Sequence, residues 1–478
     1  MDKYEQFKEY VKECAKKFEE FDATKVIRLV SHLDADGISA ASIIIKALNK
    51  KNRKYSISII PQLDKKALEE LSNEKYEYYI FTDLGSGIIK DICATLSGRR
   101  ILILDHHEIQ EGYNQCSQSE QDLIVHVNPH LFGIDGSKEI SGAGVVYLFS
   151  KEISDVKEMA HIAVVGAIGD IQDDNGFLRL NSEILKEAVA NGKMKVNVGP
   201  RFFGAQTRPL HKVLEYCSDP LIPGVSGSES GAIQFLNQIK IDPKKGAGWR
   251  KLVHLNKEEM QRLITGIIMK RLGEKRPDDV LGHIYTLIEE ERESPTRDAR
   301  EFSTLLNACG RLNRASLGIG VCLGDKKMKK RAIASLADYK KEIVKALDWY
   351  HQNKNKPGIL IGDNFIIIHA KDQVMSTMIG TLASIISKSG DLKDGTYILS
   401  LAQAADGTTK VSLRLAGKAK ETEIDLRTVI QDIVKITGGE AGGHMNAAGA
   451  IIPTLIEEEF ISTAKKVFES KNQEILAN

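Results

Sequence analysis

Short apolar runs alternate with amphipathic segments along the first 170 residues. The apolar runs have the length of buried strands and lie at residues 26–30, 55–60, 78–82, 101–104 and 123–127. Segments with apolar residues at helical spacing lie between and after them, and another covers about the first twenty residues. Because strands and helices alternate, the pattern predicts an α/β fold whose parallel sheet carries helices on both faces.

The pattern changes after about residue 186. Loop-rich stretches and helical segments predict an inserted helical subdomain that ends near residue 297. A helix is expected to open at residues 298–307 and to break at Cys309-Gly310-Arg311, and a long connector helix follows to about residue 351. A second, smaller α/β unit comes after the connector. We therefore predict four regions, at residues 1–189, 190–297, 298–355 and 356–478.

Composition narrows the class of protein. A formal net charge of +1 argues against a general positive field for nucleic acid, so any such contact would depend on local patches. The six cysteines are scattered without a CxxC pair, which excludes a thiolate zinc site and indicates a reducing compartment. Neither a signal peptide nor a run of roughly 20 apolar residues is evident. We expect a soluble, cytoplasmic protein without a membrane partner.

Acidic and imidazole side chains follow several of the predicted strands, and one more acid ends a helix. Taken singly, each could be a solvated turn or a helix cap. Because parallel strands place their carboxyl ends at one ligand-binding edge, we expect these side chains to converge. Within Asp34-Ala35-Asp36-Gly37, successive extended residues point in opposite directions, so the two carboxylates should share a side. The complete set is Asp34, Asp36, Asp83, Asp105, His106, His107 and Asp170.

So many carboxylates close together would repel one another unless divalent cations neutralised them. Oxygen and imidazole ligands without sulfur suit Mn²⁺ or Mg²⁺, and the imidazoles favour Mn²⁺, with Zn²⁺ or Co²⁺ as further alternatives. Two ions about 3.5–4 Å apart, bridged by one carboxylate, are the usual machinery for phosphoester hydrolysis. The pattern therefore predicts a two-metal hydrolytic site.

The C-terminal unit holds two candidate phosphate contacts. Gly442-Gly443-His444 lies in a glycine-rich stretch that could expose backbone N–H groups to an anion or could be only a flexible turn. Arg414 alternates with apolar neighbours on a predicted strand, where it is either a solvated edge charge or a phosphate clamp. The basic run at residues 326–331 is more typical of a solvated helix face.

The ordered motifs HLDADG, TDLGSG, LDHHE, a helix-terminal GD and GGHMNAAG resemble those of the DHH phosphoesterase superfamily. They are most similar to RecJ-type single-strand exonucleases with a DHH-associated C-terminal domain. Segments such as IRLVSHLDADGISAASI and REFSTLLNACGRL resemble the archaeal RecJ-like nucleases, a group that includes the GINS-associated nuclease. The resemblance extends over almost the whole chain. It implies a DHH domain, a partner-docking insertion, a connector helix and a DHH-associated C-terminal domain for the four regions.

The resemblance also implies roles for individual residues. It makes His107 the group that faces the scissile phosphate, and Asp105 a residue that either holds an imidazole or contacts the metal indirectly, through a ligand. Arg414, Gly442, Gly443 and His444 would hold the DNA backbone or a terminal phosphate. His32 lies two residues before Asp34, whereas some relatives place a ligand histidine four residues ahead, so its role is left open. The implied metal ligands are Asp34, Asp36, Asp83 as the bridge, His106 and Asp170.

The function implied is hydrolysis of single-stranded DNA from its 5′ end to 5′-mononucleotides, with two divalent ions as cofactors. The insertion resembles one that docks onto the GINS complex of the replisome. Two alternatives remain: a 3′→5′ exoribonuclease or short-oligonucleotide phosphodiesterase, and a non-enzymatic scaffold of the replicative helicase. RNA is therefore a second candidate substrate.

Overall fold

The computed structural model describes residues 2–112, 123–174, 176–417 and 424–477. The chain divides into two compact units, Met1–Ala334 and Ser335–Asn478. Each unit has its own sheet. The finer division into four regions stays a prediction.

A five-stranded parallel sheet in the order β2-β1-β3-β4-β5 forms the centre of the first unit. β3 is buried along its whole length, and β1 and β4 are buried except at one end residue each, because both of their faces are covered. The predicted α/β class with a parallel sheet is therefore confirmed. The strands are β1 Ile27–His32, β2 Tyr55–Ile60, β3 Tyr78–Thr82, β4 Arg100–Leu104 and β5 Ile124–Val127.

Helices cover both faces of this sheet. On one face, Leu68 and Ile92 pack with Phe81 and Ile103 of the strands. Burying a side chain of this size stabilises the fold by about 1.5–3 kcal/mol. The helices before the insertion are α1 Lys3–Glu19, α2 Ala35–Lys50, α3 Lys65–Ser72, α4 Ile89–Thr95, α5 Gly142–Ile153, α6 Ala160–Gly169 and α7 Arg179–Ala190.

The segment predicted as a helical insertion has a small core of its own, in which Leu214, Phe235 and Ile267 are buried. It also contains strands that the pattern did not predict, because β6 carries polar residues and pairs antiparallel with the distant β9. Its helices are α8 Leu210–Glu215, α9 Glu229–Gln238 and α10 Lys257–Lys270, and its strands are β6 Met194–Pro200, β7 Lys244–Lys245, β8 Gly248–Trp249 and β9 Leu281–Leu287.

Three helices follow the insertion: α11 Ala299–Arg311, α12 Ala315–Cys322 and α13 Lys326–Asn353. The helix expected to open at residues 298–307 is present, and it ends at Arg311, the last residue of the predicted break at Cys309-Gly310-Arg311. A Cβ atom on Gly310 would lie 1.7 Å from the carbonyl oxygen of Leu33. The glycine, in the last turn of α11, therefore permits close packing of this helix on the end of β1.

The second unit contains a six-stranded mixed sheet in the order β10-β11-β12-β13-β15-β14. Only β11 and β12 pair in parallel among these strands. Ile367, Leu399, Leu413, Ile430 and Phe460 are buried in its core. Its strands are β10 Ile359–Ile361, β11 Phe365–His369, β12 Tyr397–Gln403, β13 Thr408–Leu415, β14 Glu440–His444 and β15 Ala447–Pro453, and its helices are α14 Ile379–Ser387, α15 Leu426–Thr437 and α16 Glu457–Ala477.

Among the helices of the described residues, none combines the length and the apolar character needed to cross a bilayer.

Candidate metal centre

The structure brings the acidic and imidazole side chains of the first unit together at the carboxyl ends of β1, β3 and β4. They form three overlapping groups, and within each group the candidate ligand atoms lie no more than 4.8 Å apart. Asp83 and His106 each belong to two groups, so the three are contiguous. The groups are His32, Asp34 and Asp83; Asp83, Asp105, His106 and His107; and Asp36, His106 and Asp170.

Asp83 lies at the junction of these groups. Its carboxylate oxygens are 3.2 Å from His106 Nε2 and 3.6 Å from His32 Nδ1. The residue is only 2% exposed, yet neither oxygen accepts a hydrogen bond from any described residue. Burying a carboxylate without donors is unfavourable unless a cation compensates for the lost hydration. The residues present therefore fit bound divalent ions.

A hydrogen bond to a backbone carbonyl fixes the orientation of the His106 ring. Its Nδ1 lies 2.7 Å from the carbonyl oxygen of Gly136. A carbonyl only accepts hydrogen bonds, so Nδ1 carries a proton and Nε2 faces the carboxylates. Burial by itself would lower the pKa of His106, but Asp83, Asp170 and Asp36 raise it well above its usual value. Such an imidazole presents Nε2 to a metal once its proton has left.

Asp36 sits on the N-terminus of α5. The backbone N–H groups of Gly142 and Ala143 donate to its two oxygens over 2.6 and 3.1 Å. Two glycines allow the carboxylates to approach the backbone closely. A Cβ on Gly142 would lie 2.5 Å from Asp83 Oδ1, and one on Gly166 would lie 2.4 Å from Asp36 Oδ1. The amides and the helix dipole together hold this carboxylate in place.

The expectation that Asp34 and Asp36 lie on an extended segment is wrong. Because α2 begins at Ala35, Asp34 is its N-cap and accepts a hydrogen bond from the Gly37 N–H over 2.9 Å, while Asp36 belongs to the first helical turn. The two carboxylates consequently enter different groups. Asp34 lies 3.0 Å from His32 Nδ1, so His32, whose role the sequence left open, is part of the cluster.

Excess negative charge dominates the electrostatics of the cluster. Burial, together with Asp170 and Asp83, raises the pKa of Asp36 well above its usual value. Burial likewise raises the pKa of Asp170 to about 7. Asp34 behaves in the opposite way: although burial would raise its pKa, His32 and the Gly37 amide hold it below the usual range.

Asp105 lies behind the histidines. Its Oδ1 is 2.7 Å from His107 Nδ1 and accepts the N–H of His106 over 2.8 Å, while Oδ2 accepts the N–H of Ser86 over 2.9 Å. Burial would raise its pKa, but the two imidazoles hold it below the usual range. Asp105 thus orients His107, whose side chain is 32% exposed.

Three supporting contacts were missed by the sequence analysis: the Gly136 carbonyl, the amides at the start of α5, and Asn307. The side-chain oxygen of Asn307 accepts the N–H of Ala35 over 3.0 Å. Asn307 and Gly310 lie three residues apart on α11, and this spacing of an amide and a glycine could have indicated a helix face packed on backbone. No local pattern indicates the Gly136 carbonyl.

The candidate phosphate contacts lie in the second unit. Arg414 is on β13, an interior strand, so it is not an edge charge; its guanidinium donates to the Ser384 hydroxyl over 3.1 Å and to the carbonyls of Leu413 and Ala448. The stretch expected to be a glycine-rich turn is instead the edge strand β14, which contains Gly442 and Gly443, and the turn lies at residues 445–446. The side chain of His444 lies outside the described part of the chain.

Two family models match the chain, the DHH-CID domain at residues 202–284 and the DHHA1 domain at residues 362–470. A protein of Methanocaldococcus jannaschii, uncharacterized protein MJ0831, is 30% identical over 446 residues. The match covers 92% of this chain and 93% of that protein.

Two solved structures share the fold. CDC45 from Entamoeba histolytica aligns with a TM-score of 0.61 at 10% identity, over 98% of this chain and 99% of that chain. RecJ from Thermus thermophilus, in complex with Mn²⁺, aligns with a TM-score of 0.55 at 16% identity, over 96% of this chain and 55% of RecJ. This chain thus spans about half the length of that RecJ. Together with the sequence matches, these findings show that the chain belongs to the family of MJ0831 within the DHH superfamily and has a RecJ-like fold.

Proposed function

We propose that this protein is a divalent-metal-dependent nuclease that removes nucleotides from the 5′ end of single-stranded DNA and releases 5′-mononucleotides. The observation that carries the proposal is Asp83, a buried carboxylate without hydrogen-bond donors among the described residues that lies between two imidazoles. Such a group is well suited to bridge two cations. The Mn²⁺ in the RecJ structure from Thermus thermophilus supports the proposal of a divalent metal at this site.

The proposed ligands are six of the eight residues that form the contiguous groups. Two divalent ions held there, Mn²⁺ in preference to Mg²⁺, would acidify a water molecule and neutralise charge on the phosphoryl oxygens. The protein itself keeps Nε2 of its central imidazole facing inward and holds one carboxylate on backbone amides. The ligands are His32, Asp34, Asp36, Asp83, His106 and Asp170.

His107 is proposed to hold the scissile phosphate. Burial would lower its pKa, but Asp105 raises it above the usual value, which favours the imidazolium form. A protonated imidazole donates to a phosphate oxygen and stabilises its negative charge. Asp105 keeps the ring in place over 2.7 Å and thereby acts through His107.

In the second unit, Arg414 and the Gly442-Gly443-His444 stretch are proposed to bind the DNA backbone. An edge strand leaves one row of N–H groups without strand partners, and glycines allow a phosphate to approach these groups closely. Binding through the backbone would tolerate any sequence.

The insertion is proposed to dock this nuclease onto the GINS complex, in DNA replication or repair in the cytoplasm. The match to the DHH-CID domain falls on this segment. Side chains of Tyr216, Leu221, Met269 and Leu272 are more than half exposed there. Exposed apolar residues of this kind are typical of surfaces that bind other proteins.

A non-catalytic scaffold is the second candidate, and the likeness to CDC45 favours it. The presence of all six proposed ligands in one cluster favours catalysis instead, because a scaffold has no need to bury a carboxylate such as Asp83, whose oxygens accept no hydrogen bond from the described residues.

Polarity, substrate and catalysis can be tested in one experiment. Single strands of DNA and RNA, labelled at either end, are digested with Mn²⁺ by the wild type, Asp83→Ala and Asp174→Asn. We expect immediate release of a labelled mononucleotide from 5′-labelled DNA and a descending ladder from 3′-labelled DNA. Asp83→Ala should abolish both, and Asp174→Asn, an acid outside the groups, should not. Early release of the 3′ label, a preference for RNA, or equal products from Asp83→Ala would contradict the proposal.

A further inference from the structure

Ile171 adopts a backbone conformation that β-branched residues rarely take. Its φ is 59°, in the left-handed region. It directly follows Asp170 at the end of α6, where its N–H bonds to the Ile168 carbonyl over 3.1 Å and the Gln172 N–H bonds to the Ala167 carbonyl over 3.0 Å. This is a Schellman motif, and Ile171 occupies the position at which glycine or asparagine is usual.

The same hydrogen-bond pattern ends other helices of the chain. Their left-handed residues are glycine, asparagine or an unbranched lysine, which adopt this conformation with less strain. Within the described part of the chain, Ile171 is the β-branched exception among them. The corresponding residues are Asn52, Gly192, Lys240, Asn313 and Gly324.

Packing within the chain does not account for the isoleucine. Its side chain is 62% exposed, so burial of apolar surface offsets little of the backbone strain. An exposed apolar residue is ordinary by itself, but here exposure and strain coincide next to the acidic cluster. The Asp170 carboxylate lies 3.3 Å from His106 Nε2. A contact with a bound molecule at this site would explain both features.

We propose that Ile171 packs against the base of the nucleotide whose phosphate occupies the cluster, an inference that rests on the proposed function. The groups consist of carboxylates and imidazoles, whereas a nucleotide also has a flat base close to its phosphate. Ile171 directly follows a residue of the cluster and is exposed, so that its aliphatic side chain is available to supply an apolar surface for the base. Because every base has such a face, the contact is independent of sequence.

The test compares Ile171→Gly with the wild type, and Lys240→Gly is the matched control in the same backbone conformation on the insertion. Binding is measured by fluorescence anisotropy in Mn²⁺ with phosphorothioate single strands, which resist hydrolysis, and with the same strands carrying abasic terminal residues. We expect Ile171→Gly to bind the base-bearing strand roughly tenfold more weakly and the abasic strand with unchanged affinity. Its Mn²⁺ affinity should not change, and its melting temperature should not fall. Lys240→Gly should bind both strands as the wild type does.

Equal affinities of Ile171→Gly and the wild type for the base-bearing strand would overturn the inference. So would equal weakening on both strands, or a loss of Mn²⁺ affinity, since either result would indicate a structural role. The two proposals can fail separately. If the wild type cleaves no strand, the proposed nuclease function is wrong. If Ile171→Gly nevertheless loses base-dependent binding, the contact between Ile171 and the base still stands.

Discussion

The side-chain oxygen of Asn307 accepts a hydrogen bond from the backbone N–H of Ala35 over 3.0 Å. This bond connects α11 to the start of α2, where the N-cap Asp34 and the first-turn Asp36 are both proposed metal ligands. Gly310, one turn further along α11, packs against the carbonyl of the residue before Asp34. A helix that follows the insertion in sequence therefore contacts the segment that carries part of the acidic cluster.

Replacing Asn307 with alanine should weaken Mn²⁺ binding about tenfold, because groups that orient metal ligands typically contribute that much to affinity. The free energy of unfolding should fall by about 1 kcal/mol through the lost hydrogen bond. Calorimetric titration with Mn²⁺ and urea unfolding measure the two effects. Asp64→Ala removes a comparable bond, from Ala67 N–H to the carboxylate at the start of α3, and Asp64 belongs to none of the three groups. Asp64→Ala should lower the free energy of unfolding and leave the Mn²⁺ affinity unchanged. Equal Mn²⁺ affinities of the Asn307→Ala and Asp64→Ala variants would refute the supporting role of Asn307.

Asp83→Asn should abolish stabilisation of the protein by Mn²⁺. A ligand at 100 times its Kd stabilises the folded state by about 2.7 kcal/mol. An amide at the junction of the groups would bridge two cations poorly, so this gain should disappear. Melting curves with and without Mn²⁺ measure it, and Asp174→Asn, which leaves the groups intact, should show the wild-type shift. A wild-type shift in Asp83→Asn would mean that Asp83 is not a ligand.

Stability of the metal-free protein should decrease as the pH rises from about 5 to about 8. Asp170 titrates near 3.9 when unfolded, but its pKa in the folded state is about 7, and the pKa of His106 is also raised. The folded state therefore holds more protons than the unfolded state in this interval, and their stabilisation is lost as the pH rises through these pKa values. Urea unfolding in a chelator should show a loss of roughly 2 kcal/mol. Asp170→Asn should flatten the profile.

Affinity for Mn²⁺ should change in the opposite direction and increase with pH over the same interval. The imidazole of His106 and the carboxyl of Asp170 must lose protons before they can bind a cation. Calorimetry in two buffers of different ionisation enthalpy counts the protons released. An affinity that is constant between about pH 6 and 8, with no proton release, would contradict a metal site built from these groups.

Much of this architecture could be predicted from local sequence. The strands β1, β3 and β4 are continuous apolar runs, and the acids that follow them are placed by parallel topology alone. The convergence of Asp83 with His106 therefore needed no knowledge of individual contacts.

What could not be predicted depends on contacts between distant segments. The hydrogen bond from His106 to the Gly136 carbonyl leaves no trace in a residue pattern, because every residue has a carbonyl. Asp34 and Asp36 enter different groups because α2 begins at Ala35, between them. Had the extended segment continued for a few more residues, both carboxylates would have pointed to the same side of it. The helix end near Gly310 was predicted, but the contact of this glycine with the Leu33 carbonyl was not, because it joins segments far apart in sequence.

The edge strand β14 provides the last prediction, through two neighbouring glycines. A Cβ on Gly442 would meet no atom within 4 Å, so Gly442→Ala should fold normally. On Gly443, whose φ is 127°, a Cβ would lie 2.5 Å from the Ala447 carbonyl oxygen, so Gly443→Ala should be destabilised by about 1–3 kcal/mol. If nucleic acid approaches this strand closely, Gly442→Ala should still raise the KM for single-stranded DNA several-fold, with kcat and Mn²⁺ affinity unchanged. An unaltered KM would exclude close approach of the DNA backbone at Gly442.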